Sequence, residues 1–177
     1  MVPEAQLGYG DSGLAPQGPG WFVLNARDAR WLEGEYGAYT RFEGESRFPK
    51  LGVNIGVLQP GQPACMYHGE DDQEDFLVLA GECVLLIEGQ ERPLKAWDFV
   101  HCPAWTEHVF VGAGDGPCTI LAVGTRIGED VRYPVSELAR RHAAGVSRET
   151  RDPRVAYADA RPDEPVAYRD GWLPGDR

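Results

Sequence analysis

Between Tyr67 and Asp75 the chain reads Tyr67-His68-Gly69-Glu70-Asp71-Asp72-Gln73-Glu74-Asp75, one imidazole and five carboxylates in nine residues. Such a run is a solvated acidic loop unless the backbone sorts its side chains. An extended strand does sort them, because a period of two points His68 and Glu70 to the same face. Glu74 follows a short turn and immediately precedes the apolar run 76–79, so its side chain returns toward the same interior. Three potential ligands thus converge from seven residues.

A fourth comes from Cys102-Pro103-Ala104-Trp105-Thr106-Glu107-His108. A strand ends there at a proline, turns, and presents His108 at the start of the next strand. A histidine before an apolar strand also has a purely structural reading, so His108 carries weight only with the other three. Two imidazoles and two carboxylates suit a divalent transition ion such as manganese, iron, nickel, cobalt or zinc, whereas magnesium and calcium favour all-oxygen shells. The expected centre is one divalent metal held by His68, Glu70, Glu74 and His108. Asn54, Tyr67, His101 and Trp105 are candidates to line the cavity around it.

These residues resemble the two motifs of the cupin superfamily. The first runs Gly, five residues, His-x-His, three or four residues, Glu, six residues, Gly; here Gly61 is followed by His68-Gly69-Glu70, three residues, Glu74, six residues and Gly81. The second runs Gly, five residues, Pro-x-Gly, two residues, His, three residues, Asn; here stand Pro103-Ala104-Trp105, then His108, with Gly112 in the last place. The resemblance covers roughly residues 50 to 125. Glu70 replaces the second histidine of the first motif, the gap from Gly61 to His68 is one residue longer, and Trp105 and Gly112 replace a glycine and an asparagine. His68, Glu74 and His108 therefore match ligand positions in type, and Glu70 in place alone. Glu70 is either a ligand, adding carboxylate charge that lowers a metal's reduction potential, or a base beside an open coordination position.

The resemblance implies a jelly-roll β-barrel, that is, a double-stranded β-helix, with the metal inside and frequent pairing into homodimers. It does not fix the reaction. The leading expectation is a metal-dependent enzyme acting on a small polar metabolite, oxidation by molecular oxygen ranking ahead of sugar isomerisation. The competing one is a non-catalytic barrel that senses or binds a small ligand. In a third reading the acidic run is a solvated loop and no metal binds.

Composition bounds these readings. At 177 residues, with 42% hydrophobic and 25% charged residues, the chain has material for one domain with a sizeable core. A net charge of −11 without a Lys- or Arg-rich cluster argues against a nucleic-acid partner. No run approaches the roughly 18 apolar residues of a membrane helix, and the opening residues lack a basic and an apolar leader region, so a cytoplasmic protein is expected. The four cysteines, Cys65, Cys83, Cys102 and Cys118, form no C-x-x-C pair and read as small buried hydrophobes.

The elements that must position the site read as short strands separated by turns, the pattern of an all-β sandwich or barrel. Candidate strands are 21–24, 38–42, 51–58, 64–67, 76–79, 83–87, 98–102, 108–111 and 118–124. One helix is expected across 134–144, with Ser136 as its cap and Gly145 at its end. Residues 1–20, with five glycines and three prolines, read as a loose N-terminal arm, 21–130 as the barrel, and 131–177 as the helix followed by an extended tail. Trp172 and Leu173 in that tail are placed to pin it to the body or to a neighbouring subunit.

Overall fold

The computed structural model describes residues 1–175. Its strands in chain order are β1 (Gln6–Gly10), β2 (Gly13–Gln17), β3 (Trp31–Gly34), β4 (Gly37–Thr40), β5 (Leu51–Leu58), β6 (Gly69–Glu70), β7 (Glu74–Ala80), β8 (Glu82–Ile87), β9 (Gln90–Lys95), β10 (Phe99–Cys102), β11 (His108–Ala113), β12 (Cys118–Thr125), β13 (Val131–Arg132) and β14 (Glu164–Val166). The helices are α1 (Glu137–Arg141) and α2 (Pro153–Ala156). Antiparallel pairing builds a seven-stranded sheet in the order β10-β7-β12-β5-β4-β3-β14, which faces a three-stranded sheet β11-β8-β9. The two form a jelly-roll sandwich.

Alternation explains the layers. On β7 Phe76 and Val78, on β10 Val100 and Cys102, and on β12 Cys118 and Ile120 meet Cys83, Leu85 and Phe110 of the small sheet in one core between the sheets. The opposite parity faces outward. Ile55 and Val57 of β5 bury Trp31, Trp172 and Leu173 on the outer face of the large sheet. Leu86, Val109 and Val111 bury Ala139 and Ala144 on the outer face of the small one. The runs in β8 and β11 are apolar throughout because both of their faces are covered, by the core on one side and by α1 and its flanks on the other.

Helix α1 starts where expected, with Ser136 accepting from the Ala139 amide at 3.2 Å, but spans fewer residues than the predicted segment. The tail is pinned to the body: the Thr119 hydroxyl donates to the Trp172 carbonyl at 2.5 Å, and Trp172 packs on Trp31 with ring centroids 4.9 Å apart. The last two residues of the expected tail lie outside the described residues.

Three local expectations are corrected. Residues 1–20 are not a loose arm: β1 and β2 form a hairpin, and Leu14 exchanges backbone bonds with Asp28 and Arg30 at 2.7 and 2.9 Å. Backbone pairing needs no hydrophobic core of its own, so a glycine-rich composition misled. Residues 21–24 are not a strand, since Val23 is exposed and the chain turns at once through Asn25, whose side chain accepts from the Arg27 amide. Residues 64–67 are not one either. The Met66 amide donates to the Tyr157 hydroxyl at 3.1 Å and the Tyr67 amide to the Ala144 carbonyl at 2.7 Å, so the C-terminal segment takes the donors a ladder would need. Strand β9 went unread because Pro93 and its charged neighbours suit only an exposed edge. Among the described residues, no helix is long and apolar enough to cross a membrane.

Candidate metal centre

His68 and His108 face one another across an isolated antiparallel bridge, exchanging backbone bonds of 3.2 and 2.8 Å. This is the pair geometry that holds two opposed side chains on one face. Their ring centroids are 5.3 Å apart. On β11, His108 shares parity with Phe110 and so points into the core, and on β7 Glu74 shares parity with Phe76 and Val78. Glu70 ends the two-residue strand β6, which is fixed by pairing with β13 and by the Trp105 amide donating to the Glu70 carbonyl at 2.7 Å.

One donor atom each from His68, Glu70 and Glu74 lies within 4.8 Å of the others. His108 joins them through Glu74, with Nε2 3.3 Å from Oε2, and His68 Nε2 stands 3.9 Å from Glu70 Oε2. The side chains of His108, His68, Glu74 and Glu70 are 4, 14, 19 and 31% exposed, which makes Glu70 the outermost of the four. The rest of the acidic run is used otherwise. Asp72 accepts from the Thr125 hydroxyl and the amides of Ile127 and Gly128, and Asp75 turns outward to His101 at 2.6 Å.

The protonation states follow from these contacts. His68 Nδ1 is 2.8 Å from the Met66 carbonyl and His108 Nδ1 3.0 Å from the Thr106 carbonyl. A carbonyl only accepts, so each Nδ1 carries the proton and each Nε2 presents a lone pair to the centre. Burial lowers the pKa of both rings, that of His108 to about 4, with the neighbouring His68 adding to the effect. Burial likewise raises both carboxyls. Glu74 is pushed up to about 8 by burial first and then by the charges of Glu70 and Asp72, and the two glutamates share a hydrogen bond.

The result is a buried cluster of ligand atoms in which the one available proton is shared by the two glutamates. Glu74 Oε2 is buried with no hydrogen-bond donor, and the nearest nitrogen, His108 Nε2, offers it a lone pair. A buried carboxyl oxygen facing an imidazole lone pair needs a positive centre between them, a proton on the glutamate in the metal-free chain or a metal ion in its place. The donor set, two neutral imidazoles oriented by backbone carbonyls and two carboxylates, fits a divalent transition ion.

A cavity of about 240 Å³ opens beside the cluster, lined by Asn54, Glu74, Phe76, Phe110, Ile120 and Arg41 among others. Asn54 thus lies on its wall. The other three candidates do not. Tyr67 is buried on the opposite face of the small sheet, in contact with Leu86, Val109 and Ala139, its hydroxyl accepting from the Gly89 amide. His101 has the parity opposite to Val100 and Cys102, so it faces solvent and pairs with Asp75. Trp105 is partly exposed beside Arg151, and only its backbone approaches the site. The reading of the sequence passed over Tyr133, whose ring lies 5.8 Å from that of His68, and Tyr36 and Arg41 on the cavity wall. Nothing in the spacing of those residues signals their convergence.

The motif glycines are accounted for by contacts. Gly81 has φ +73°, and a Cβ there would stand 2.3 Å from the Pro117 carbonyl oxygen; at Gly112 it would stand 2.2 Å from that of Gln59. Trp97 and Trp105, on either side of Pro103, hold φ of +76° and +68°, so the left-handed turns flanking that proline persist without glycine.

Residues 54–124 match the family model described as a cupin domain. Among solved structures, the polyketide cyclase RemF from Streptomyces resistomycificus is similar with a TM-score of 0.55 at 13% identity, over 63% of this chain and 83% of that one. A cupin 2 domain-containing protein from Halorhodospira halophila gives 0.50 at 15% identity, over 60% and 75%. A sugar phosphate isomerase from a cupin superfamily, from Silicibacter pomeroyi, gives 0.49 at 29% identity, over 55% and 63%. The chain spans 54% and 63% of the first two solved structures it matches. No curated protein matches the chain.

Proposed function

We propose that this chain, whose residues 54–124 match the cupin domain model, is a metal-dependent enzyme whose single divalent transition ion is held by His68, Glu70, Glu74 and His108. The observation that carries this reading is the convergence of the His68 and His108 Nε2 lone pairs on the Glu70 and Glu74 carboxylates, at 3.9 and 3.3 Å. When bound, such an ion supplies Lewis acidity or one-electron redox chemistry.

The chain's own residues do the rest. The Met66 and Thr106 carbonyls hold both imidazoles in the ligating tautomer. Phe76, Phe110 and Ile120 give the inner cavity an apolar wall. Glu70 is the more exposed of the two carboxylates and takes the role of ligand or base, whereas Glu74 stands on the cavity wall. Two carboxylates in the shell stabilise a higher oxidation state, which favours oxidation of a small polar metabolite by molecular oxygen over isomerisation.

The test is metal analysis of protein purified without chelator, followed by oxygen uptake with keto acids, diketones and phenols after loading with iron or manganese. About one equivalent of metal per chain is expected, and less than about a tenth even after reconstitution sinks the reading. Glu70→Gln should weaken metal affinity about 10- to 100-fold; unchanged metal content with turnover lost assigns Glu70 to proton transfer alone.

A further inference from the structure

The inner cavity does not end at the metal cluster. Tyr36, Tyr39, Arg41, Ala64 and Cys65 line it and also line an outer chamber of about 420 Å³, whose far wall is the C-terminal stretch Tyr157, Ala160, Arg161, Pro162 and Asp163. Arg41 stands where the two meet. Its guanidinium lies 4.8 Å over the Tyr39 ring, with Nη2 donating weakly to the Tyr39 hydroxyl at 3.5 Å. That hydroxyl donates to Asp163 at 2.7 Å, which engages the one carboxylate lining the chamber. Arg126, Arg132, Arg151, Arg154 and Arg169 each pair with a carboxylate. Arg41, like Arg30, Arg47 and Arg92, has no ion-pair partner among the described residues, and unlike them it lines both chambers.

A guanidinium stacked on an aromatic face keeps its in-plane N–H groups directed outward, in the fork that matches two oxygens of a carboxylate or phosphate. We infer that Arg41 is a specificity residue that anchors the oxyanion of a small organic acid or phosphate ester, with Arg161 adding positive potential at the mouth. The same substrate would run its uncharged part past Leu58, Phe110 and Ile120 and present oxygen atoms beside Glu74. The inference rests on reading this cavity as the substrate site. It explains how a chain of net charge −11 admits an anion, since an arginine without a direct ion pair offsets a repulsive field at short range.

The experiment is calorimetric titration of the full, manganese-loaded chain with benzoate, phenyl phosphate and the neutral analogue benzamide, beside Arg41→Gln and Arg41→Lys, with metal content measured in every sample. A charge-assisted paired contact predicts that one of the anions binds wild type about 10- to 100-fold more tightly than benzamide. Arg41→Gln removes that preference without changing metal content, and Arg41→Lys, which keeps the charge but not the fork, retains part of it. The anion that loses more in Arg41→Gln tells carboxylate from phosphate. Equal binding of all three probes to wild type, or a preference that survives Arg41→Gln, overturns the inference while leaving the metal reading intact. An Arg41-dependent preference in protein that takes up no metal upholds the anion site and sinks the metal reading.

Discussion

Replacing Glu74 with glutamine separates two effects of opposite sign. Burial and the charges of Glu70 and Asp72 raise the Glu74 carboxyl from its ordinary 4.5 to about 8. An unfolded chain gives up that proton near the ordinary value, whereas the folded, metal-free chain keeps it to about pH 8. Between the two the native state binds more protons, so its stability falls as the pH rises. At roughly 1.4 kcal/mol for each pH unit separating the folded from the unfolded value, the loss is under about 1 kcal/mol at pH 5, about 3 kcal/mol at pH 7 and about 5 kcal/mol above pH 8. It belongs to the Glu70–Glu74 pair as a whole. Glutamine has the shape of the protonated acid and no charge to acquire, so metal-free Glu74→Gln is the more stable protein, by a margin that grows over this window. Urea unfolding in the presence of a chelator, followed by tryptophan fluorescence near pH 5 and again above pH 8, measures it. Adding metal reverses the order, because wild type gains binding free energy that the variant has lost. A stability difference between variant and wild type that does not change with pH in chelator would refute the premise that the cluster holds its acid neutral.

Two further outcomes follow from the same geometry. With both imidazoles neutral at pH 7 and one proton on the glutamate pair, metal loading at pH 7 should release about one proton, and none well above pH 8. Calorimetry in buffers of different ionisation enthalpy reads this number, and two or more protons at pH 7 would mean that a histidine is charged. Trp172→Ala removes a buried ring packed on Trp31 and Tyr168 and should cost about 3 to 5 kcal/mol, lowering Tm by roughly 10 °C; a change within about 1 kcal/mol would mean that the tail is not part of the folded body.

Most of the barrel was legible because its strands announce their parity. In His108-Val109-Phe110-Val111, a histidine in register with a phenylalanine had to face the interior, and Glu74 stands in the same relation to Phe76 and Val78. The same rule, applied to Val100-His101-Cys102, would have sent His101 outward, as the structure does; proximity to the second motif was the weaker guide. What spacing could not carry was anything supplied by a distant segment. Tyr67 is turned onto the outer face because its amide bonds to Ala144, far along the chain. Tyr133 reaches His68 because β13 pairs with β6. Arg41 enters the cavity because β4, outside both motifs, pairs with β5. The four proposed ligands lie on or beside strands within the motif segments, so alternation together with the motif resemblance sufficed to single them out. The walls and mouth of the cavity draw on segments near both ends of the chain, whose places are set by pairing and packing over long sequence separations. Reading such a site from sequence therefore singles out candidate metal ligands sooner than the residues on the cavity wall, and Arg41 and the C-terminal rim lie outside what the motifs convey.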